Sequence, residues 1–335
     1  MTGAGVDVIV PCYNYSRYLR ACTGSVLRET RLPVRVLIVD DASSDDTAEE
    51  ARRIAAEDSR VEVIVHEKNR GHIATFNEGI DWTAQKYLLL LSADDMVTPG
   101  ALARAVALME AHPSVAFVHG KTVHFAREDE LSCVSAVGGR DRIVSGPDFI
   151  RRLCARPENP IETATAVVRT AVQKRVGGYC PKLTHTGDLE MWLRCAAFGD
   201  VGEVDALQAF VRMHGANMRQ TYAGANFLSD YGQRRDAFEA FFDAFGERVE
   251  GAAELRAQAL ASLASDLLWE ASKAIDVGRE CAEMVSFATE LHPGVRRSRQ
   301  YRRLQIKRLV APLLQFVRAS RARRPSFERA APTGG

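Results

Sequence analysis

Residues 6–14 read VDVIVPCYN and residues 34–46 read VRVLIVDDASSDD. Each is a short aliphatic, β-branched run that stops abruptly at polar residues, as a fully buried strand does when it leaves a parallel sheet. The same pattern returns at Val61–Val65, Tyr87–Leu91 and Val115–Val118. Between these runs lie amphipathic stretches near Tyr18–Arg28, Thr47–Glu57, Ile73–Thr83 and Pro99–Glu110, the last with Thr98 placed to cap it and Pro99 at its first position. Strand and helix in alternation predict an α/β fold, a mostly parallel Rossmann-like sheet with helices on both faces.

Working outward, Lys121 to Arg142 is polar and punctuated by Gly138 and Gly139, which predicts an irregular or hairpin excursion. A strand at Thr165–Val168, a helix at Asp188–Phe198 and a strand at Ala209–Met213 then complete the domain. Strand signals cease after Asn217. The expected organisation is one α/β domain over 1–220, a helical extension over 221–325, and a disordered tail over 326–335. In the extension, Leu260, Leu263, Leu267, Ala271 and Ala274 share one helix face.

The chain has 335 residues, 46% hydrophobic and 26% charged, with a formal net charge of +1. That is enough for one large domain with an appendage. Seven cysteines form no CxxC pair, against both a disulfide framework and a zinc knuckle, which predicts a cytoplasmic protein. The start lacks a secretory signal, and no run of about eighteen apolar residues predicts a membrane span.

In an open parallel sheet, ligands bind beyond the carboxyl ends of the strands. Here the first strand runs into Pro11-Cys12-Tyr13-Asn14, the second into Asp40-Asp41 and a Ser/Asp cluster, the third into His66–Gly71, and the fourth into Ser92-Ala93-Asp94-Asp95. Two acidic clusters at neighbouring strand ends point to a nucleoside site with a divalent cation, because clustered carboxylates repel unless a cation or donors compensate. Turn formation and helix capping are the plainer explanation for either cluster alone.

These segments carry a resemblance. VIVPCYNYSRYL, VLIVDDASSDDT, NRGHIATFNEGI and YLLLLSADD, followed by GGY, GDLEMWLR and FVRMHGANM, resemble the ordered motifs of family 2 inverting glycosyltransferases, which have the A-type nucleotide-sugar fold. The likeness spans about residues 6–220. It implies that Pro11, Tyr13 and Asn14 frame the base, that Asp41 hydrogen-bonds it, and that Asn69 and Gly71 lie along the nucleotide. It makes Asp94 and Asp95 the end of a metal-binding acidic motif whose first acid is replaced by Ser92, with Mg²⁺ or Mn²⁺ as cofactor and Asp94 at the donor diphosphate. Asp188 matches the catalytic base, with Gly187 where a preceding acid often stands. His214 matches a histidine near the metal and diphosphate. His66, His72, His119, His124 and His185 carry no role in this reading.

The implied reaction is sugar transfer with inversion from a nucleotide-sugar donor, a UDP-sugar favoured over dTDP- or GDP-sugars. The acceptor is a glycan, a lipid-linked saccharide or a small molecule. The rival is a non-catalytic nucleotide-sugar-binding or assembly protein whose metal site has decayed at Ser92. Nucleotidyl transfer calls for a basic, glycine-rich loop after the first strand, which Pro11-Cys12-Tyr13-Asn14 is not. Phosphate-loop, zinc-helix and nucleophile-elbow motifs are absent, and Gly3-Ala4-Gly5 precedes its strand, which disfavours hydride transfer.

Arg296–Arg324 contains no Asp or Glu, and Arg302, Arg303, Lys307 and Arg308 alternate there with Leu304, Leu309, Leu313 and Phe316. Such a helix suits an anionic membrane surface, making the protein peripheral at the inner face, or packs in a homodimer. Pro312 is expected to kink or end it. No aromatic platform accompanies the arginines, which disfavours nucleic acid.

Overall fold

The aliphatic runs become the strands that order everything else. The computed structural model describes residues 4–133, 138–215, 217 and 227–322. The chain divides into two compact units, Met1–Ala259 and Leu260–Gly335.

The first unit opens with β1 (Val6–Cys12), α1 (Ser16–Leu27), β2 (Val34–Asp40), α2 (Thr47–Glu57), β3 (Val61–Val65), α3 (His72–Trp82) and β4 (Tyr87–Leu90). These strands lie in the order β3-β2-β1-β4, all parallel, with Val8 of β1 beside Val36 of β2 and Leu89 of β4. Successive β1 side chains point to opposite faces. Val6, Val8 and Val10 pack with Leu19 and Val26 of α1 and Ile54 of α2. Ile9 faces the other way, against α3, where a Cβ on Gly79 would lie 2.2 Å from Ile9 Cγ2. Helices therefore cover both faces, as the sequence predicts.

There follow β5 (Met96–Val97), α4 (Ala101–Ala111), β6 (Val115–Phe125), β7 (Arg142–Val144), α5 (Gly146–Ala155), β8 (Val167–Arg169), α6 (Thr170–Val176), α7 (Gly187–Ala196), β9 (Asp200–Arg212) and α8 (Phe227–Phe245). Here the sheet becomes mixed. β8 is antiparallel to β4 and β6, β9 runs parallel to β6, and β5 and β7 are antiparallel to β9.

Three local expectations change. The last strand starts at Asp200, well before Ala209, because pairing with β6 carries polar Glu203 and Asp205 into a ladder with register shifts near Gly120 and Lys121. Of the irregular or hairpin excursion expected from Lys121 to Arg142, Lys121–Phe125 instead extend β6, and Arg142 opens β7. Thr98 does not cap α4, which begins after Gly100 in the left-handed region (φ 73°); the Thr98 hydroxyl donates to Leu207 O at 2.6 Å.

α9 (Ala252–Asp276) continues from the first unit into the second, which adds α10 (Ala282–Leu291) and α11 (Arg299–Ala322). Leu263, Leu267, Ala271 and Ala274 form the buried face of α9. Gln300 and Lys307 of α11 bond to Ser265 and Ser272 of α9, so these helices run parallel, one heptad apart at each contact. α11 continues past Pro312 to Ala322, so the proline does not end it. Among the described residues no helix is long and apolar enough to cross a membrane. The expected tail at 326–335 lies outside the described residues.

Candidate active site

A cleft of about 660 Å³ opens at the carboxyl ends of β1, β2 and β4 and is closed on its far side by the start of α7. Pro11, Tyr13, Asn14, Asp41, Asn69 and Gly71 line it at one end, Asp94 and Asp95 line its floor, and Asp188 lines its far wall. His214 reaches the floor through its bond to Asp94.

At the first end the loops after β1 and β2 are sewn together. Asn14, at φ 62°, donates its backbone N–H to Ser43 Oγ (2.8 Å) and accepts the Ser44 N–H at its side-chain oxygen (2.8 Å). Tyr13 beside it is 47% exposed, with its ring available to a planar ligand. Asp41 is nearly fully buried and accepts from His66 Nδ1 (2.7 Å) and from the backbone N–H groups of Arg70 (2.8 Å) and Gly71 (2.8 Å). Asn69 closes the same loop, donating to Asp41 O at 3.2 Å and accepting the Gly71 N–H at 3.1 Å. Burial pushes the Asp41 pKa up, but these hydrogen bonds outweigh it and hold the carboxyl below the ordinary Asp value. A carboxylate has about four acceptor positions, and these donors take three of them.

His66 is a residue the motif reading passes over. Its two ring nitrogens face Asp41 Oδ1 at 2.7 Å and Glu78 Oε2 at 2.8 Å, and it braces the loop that carries Asn69 and Gly71. Its position, directly after β3, was the available signal.

On the floor, His214 Nε2 lies 2.9 Å from Asp94 Oδ2, which also receives the Asn217 amide at 3.3 Å. Asp95 turns one oxygen to the Arg212 N–H (2.9 Å). The Arg212 side chain is sandwiched between the rings of Tyr18 (4.4 Å) and Phe125 (4.5 Å), donates to Asp94 O at 3.1 Å and reaches Glu128 at 2.7 Å. Arg212 thus ties the end of β9 to the acidic turn, a role the sequence shows only as one letter of FVRMHGANM. Among the described residues no three His, Cys, Asp or Glu gather as a metal cage. The Asp94–His214 spacing nevertheless fits two adjacent ligands of an octahedral cation, which lie about 3 Å apart when each bond is about 2.1 Å. Such a pair fits a hard cation that draws its other oxygens from phosphate and water.

On the far wall α7 presents Asp188 in its first turn, after Thr186 and Gly187. Leu189, Trp192 and Leu193 are buried behind it. The carboxylate does not serve as the cap; it accepts from the Thr163 hydroxyl at 2.7 Å and from the Tyr179 hydroxyl. Burial raises the Asp188 pKa above the ordinary value, the two hydrogen bonds lower it by less, and nearby Glu162 adds to the rise. Glu162 and Thr163 were not singled out in the sequence, since they come from a segment about 25 residues before Asp188, and Tyr179 shows there only as the last letter of GGY.

Residues 7–171 match the family described as Glycosyl transferase family 2. An "Uncharacterized glycosyltransferase" of Haemophilus influenzae is 23% identical over 220 residues, which are 65% of this chain and 68% of that protein. "Glycosyltransferase GlyG" of Streptococcus pneumoniae is 33% identical over 93 residues, 28% of this chain and 31% of the relative. Among solved structures, S. aureus TarS 1-349 in complex with UDP-GlcNAc aligns with a TM-score of 0.64 and 16% identity, covering 94% of this chain and 87% of that one. The likeness to TarS establishes a shared mixed α/β fold.

Proposed function

We propose that this protein is an inverting glycosyltransferase that moves a sugar from a nucleotide-sugar donor to an acceptor hydroxyl. The observation that carries the reading is that one cleft gathers the hydrogen-bonded carboxylate of Asp41, the Asp94 carboxylate with His214 bonded to it, and the raised-pKa carboxylate of Asp188. The match over residues 7–171 supports it, and the UDP-GlcNAc held by the TarS neighbour favours a UDP-sugar.

Asp188 accepts the proton of the acceptor hydroxyl as that oxygen bonds to the anomeric carbon. The bond from that carbon to the diphosphate breaks on the opposite face, so the configuration inverts and the nucleoside diphosphate leaves with the electron pair. A raised pKa makes Asp188 a stronger proton acceptor than an ordinary Asp. Tyr179 and Thr163 fix its orientation. Asp94 and His214 would hold Mg²⁺ or Mn²⁺, which when bound would supply Lewis-acid stabilisation of the departing diphosphate. Asp95 acts through Arg212, which holds the floor in shape.

The test is nucleoside diphosphate release from UDP-, dTDP- and GDP-sugars with Mn²⁺ or Mg²⁺, in the wild type and in Asp188→Asn. Metal-dependent turnover that the variant loses supports the reading. Donor binding with no turnover under any acceptor condition favours the non-catalytic binder with a metal site decayed at Ser92.

The acceptor belongs at an anionic membrane surface in this reading. Arg302, Arg303 and Arg308 are exposed on α11 together with Ile306, Val310 and Leu309, the last 78% exposed. Basic and apolar side chains exposed together suit an acidic lipid surface better than a second copy of the same basic helix. Co-sedimentation with phosphatidylglycerol vesicles, lost on replacing these arginines, is the expected result.

A further inference from the structure

The residue before Asp188 is Gly187, and the structure shows why it is small. A Cβ there would lie 3.1 Å from Tyr179 Cδ1 and 3.8 Å from Ile73 Cδ1. Tyr179 cannot easily yield. Its ring meets Phe76 edge-on at 5.4 Å, its N–H donates to Asn77 Oδ1 (2.6 Å), its carbonyl accepts from Asn77 Nδ2 (3.0 Å), and its hydroxyl is bonded to Asp188. Tyr179 fills the space that an acidic side chain at 187 would need.

A second carboxylate reaches the cleft by another route. Glu162 lines it beside Thr163, whose hydroxyl is on Asp188. The Glu162 carbonyl is fixed by the N–H and hydroxyl of Thr165, each at 2.9 Å, and its Oε1 lies 3.2 Å from Nε2 of His124 on β6. His124 pairs in the sheet with Val211, and Val211 lines the cleft three residues before His214. Glu162 therefore stands on the strip joining the proposed base to the proposed cation pair. A sugar attached to a diphosphate at Asp94 must cross that strip to bring its anomeric carbon to an acceptor at Asp188.

We propose that Glu162 is the donor-specificity residue of this cleft, its carboxylate accepting hydrogen bonds from hydroxyls of the transferred sugar, with His124 as its positioning residue. The proposal rests on the glycosyl-transfer reading and adds what recognises the sugar as distinct from the nucleotide. A carboxylate suits neighbouring hydroxyls because it accepts from both and its charge strengthens each bond.

Titration calorimetry of the full chain with Mn²⁺ tests it, using UDP, GDP and dTDP beside UDP-GlcNAc, UDP-glucose, GDP-glucose and dTDP-glucose. Glu162→Gln keeps the shape and removes the charge. The expected result is an unchanged Kd for the free diphosphate and a Kd about 10- to 100-fold higher for the sugar nucleotide the wild type prefers. His124→Ala should produce a smaller shift of the same selective kind. Equal weakening of diphosphate and sugar nucleotide, or no change in either for both Glu162→Gln and Glu162→Ala, overturns the proposal while leaving the glycosyl-transfer reading in place. A wild type that binds none of these nucleotides overturns both.

Discussion

His214 and Asp94 stand 120 residues apart in the chain, yet their Nε2 and Oδ2 atoms lie 2.9 Å apart. One follows β9 and the other follows β4, so the sheet itself brings them together. Replacing either with Ala should weaken Mn²⁺ binding by at least about 10-fold, read by the electron paramagnetic resonance of bound Mn²⁺, and chelation should abolish turnover in the wild type. Asp94→Ala should also lower kcat by about 10²- to 10³-fold. Turnover indifferent to chelator would remove the cation from the mechanism.

Asp188→Asn should lower kcat by about 10²- to 10⁴-fold while leaving nucleoside diphosphate affinity intact. The sign of the pH effect follows from the raised pKa. Asp188 works deprotonated, so kcat rises as pH climbs through that pKa, and the acid limb of the profile should lie above the ordinary Asp value of about 3.9. Tyr179→Phe removes a donor that lowers the Asp188 pKa, so the limb should move to still higher pH. A limb that stays in place in that variant would separate Asp188 from the titration.

Asp41 gives the opposite sign. Its folded pKa is lowered, so the stability it contributes is present above the unfolded value of about 3.9 and is lost as pH falls through the lower folded pKa. Asp41→Asn should flatten the stability profile in that acid window, measured by denaturant unfolding at a series of pH values. The same variant should speed amide exchange at Arg70 and Gly71, whose N–H groups the carboxylate holds.

Away from the cleft, Asp7 is fully buried and holds Arg35 with two bonds, 2.8 and 2.9 Å, while accepting the N–H groups of Ala84 (2.6 Å) and Gln85 (2.7 Å). Asp7→Ala should cost about 3 kcal/mol in chemical denaturation, since the donors would be left without a partner. Gly79→Ala should cost about 1–3 kcal/mol by forcing α3 away from Ile9. Neither should alter nucleotide affinity in the folded fraction.

The contrast between these residues shows where sequence legibility ends. β1 to β4 were readable because each is a short aliphatic run bounded by polar residues, and their ends drew attention to Asp41 and Asp94. The first half of β9 was not, because Glu203 and Asp205 interrupt its apolar pattern and its pairing with β6 is non-local. His66 looked like an ordinary loop histidine until the fold set Asp41 and Glu78 on either side of its ring. Gly187 registered as a departure from a motif, and only the packing of Tyr179 explains it. Roles that depend on one residue type at a strand end show in the chain; roles that depend on two distant segments meeting do not.

α7 and β9 follow one another, the helix starting at the cleft and the strand returning to it. Asp188 at one end and His214 just beyond the other thus belong to one rigid bracket, with Trp192 stacked on Phe117 at 5.2 Å to anchor the helix to the sheet. The span between them is set by a helix and a strand, whereas the neighbouring walls include loops such as Tyr13–Tyr15 and Leu183–His185. Loops on those walls can then be exchanged or lengthened without retuning that span. Such a layout lets one framework be refitted for new acceptors while the gap between its two fixed posts stays constant.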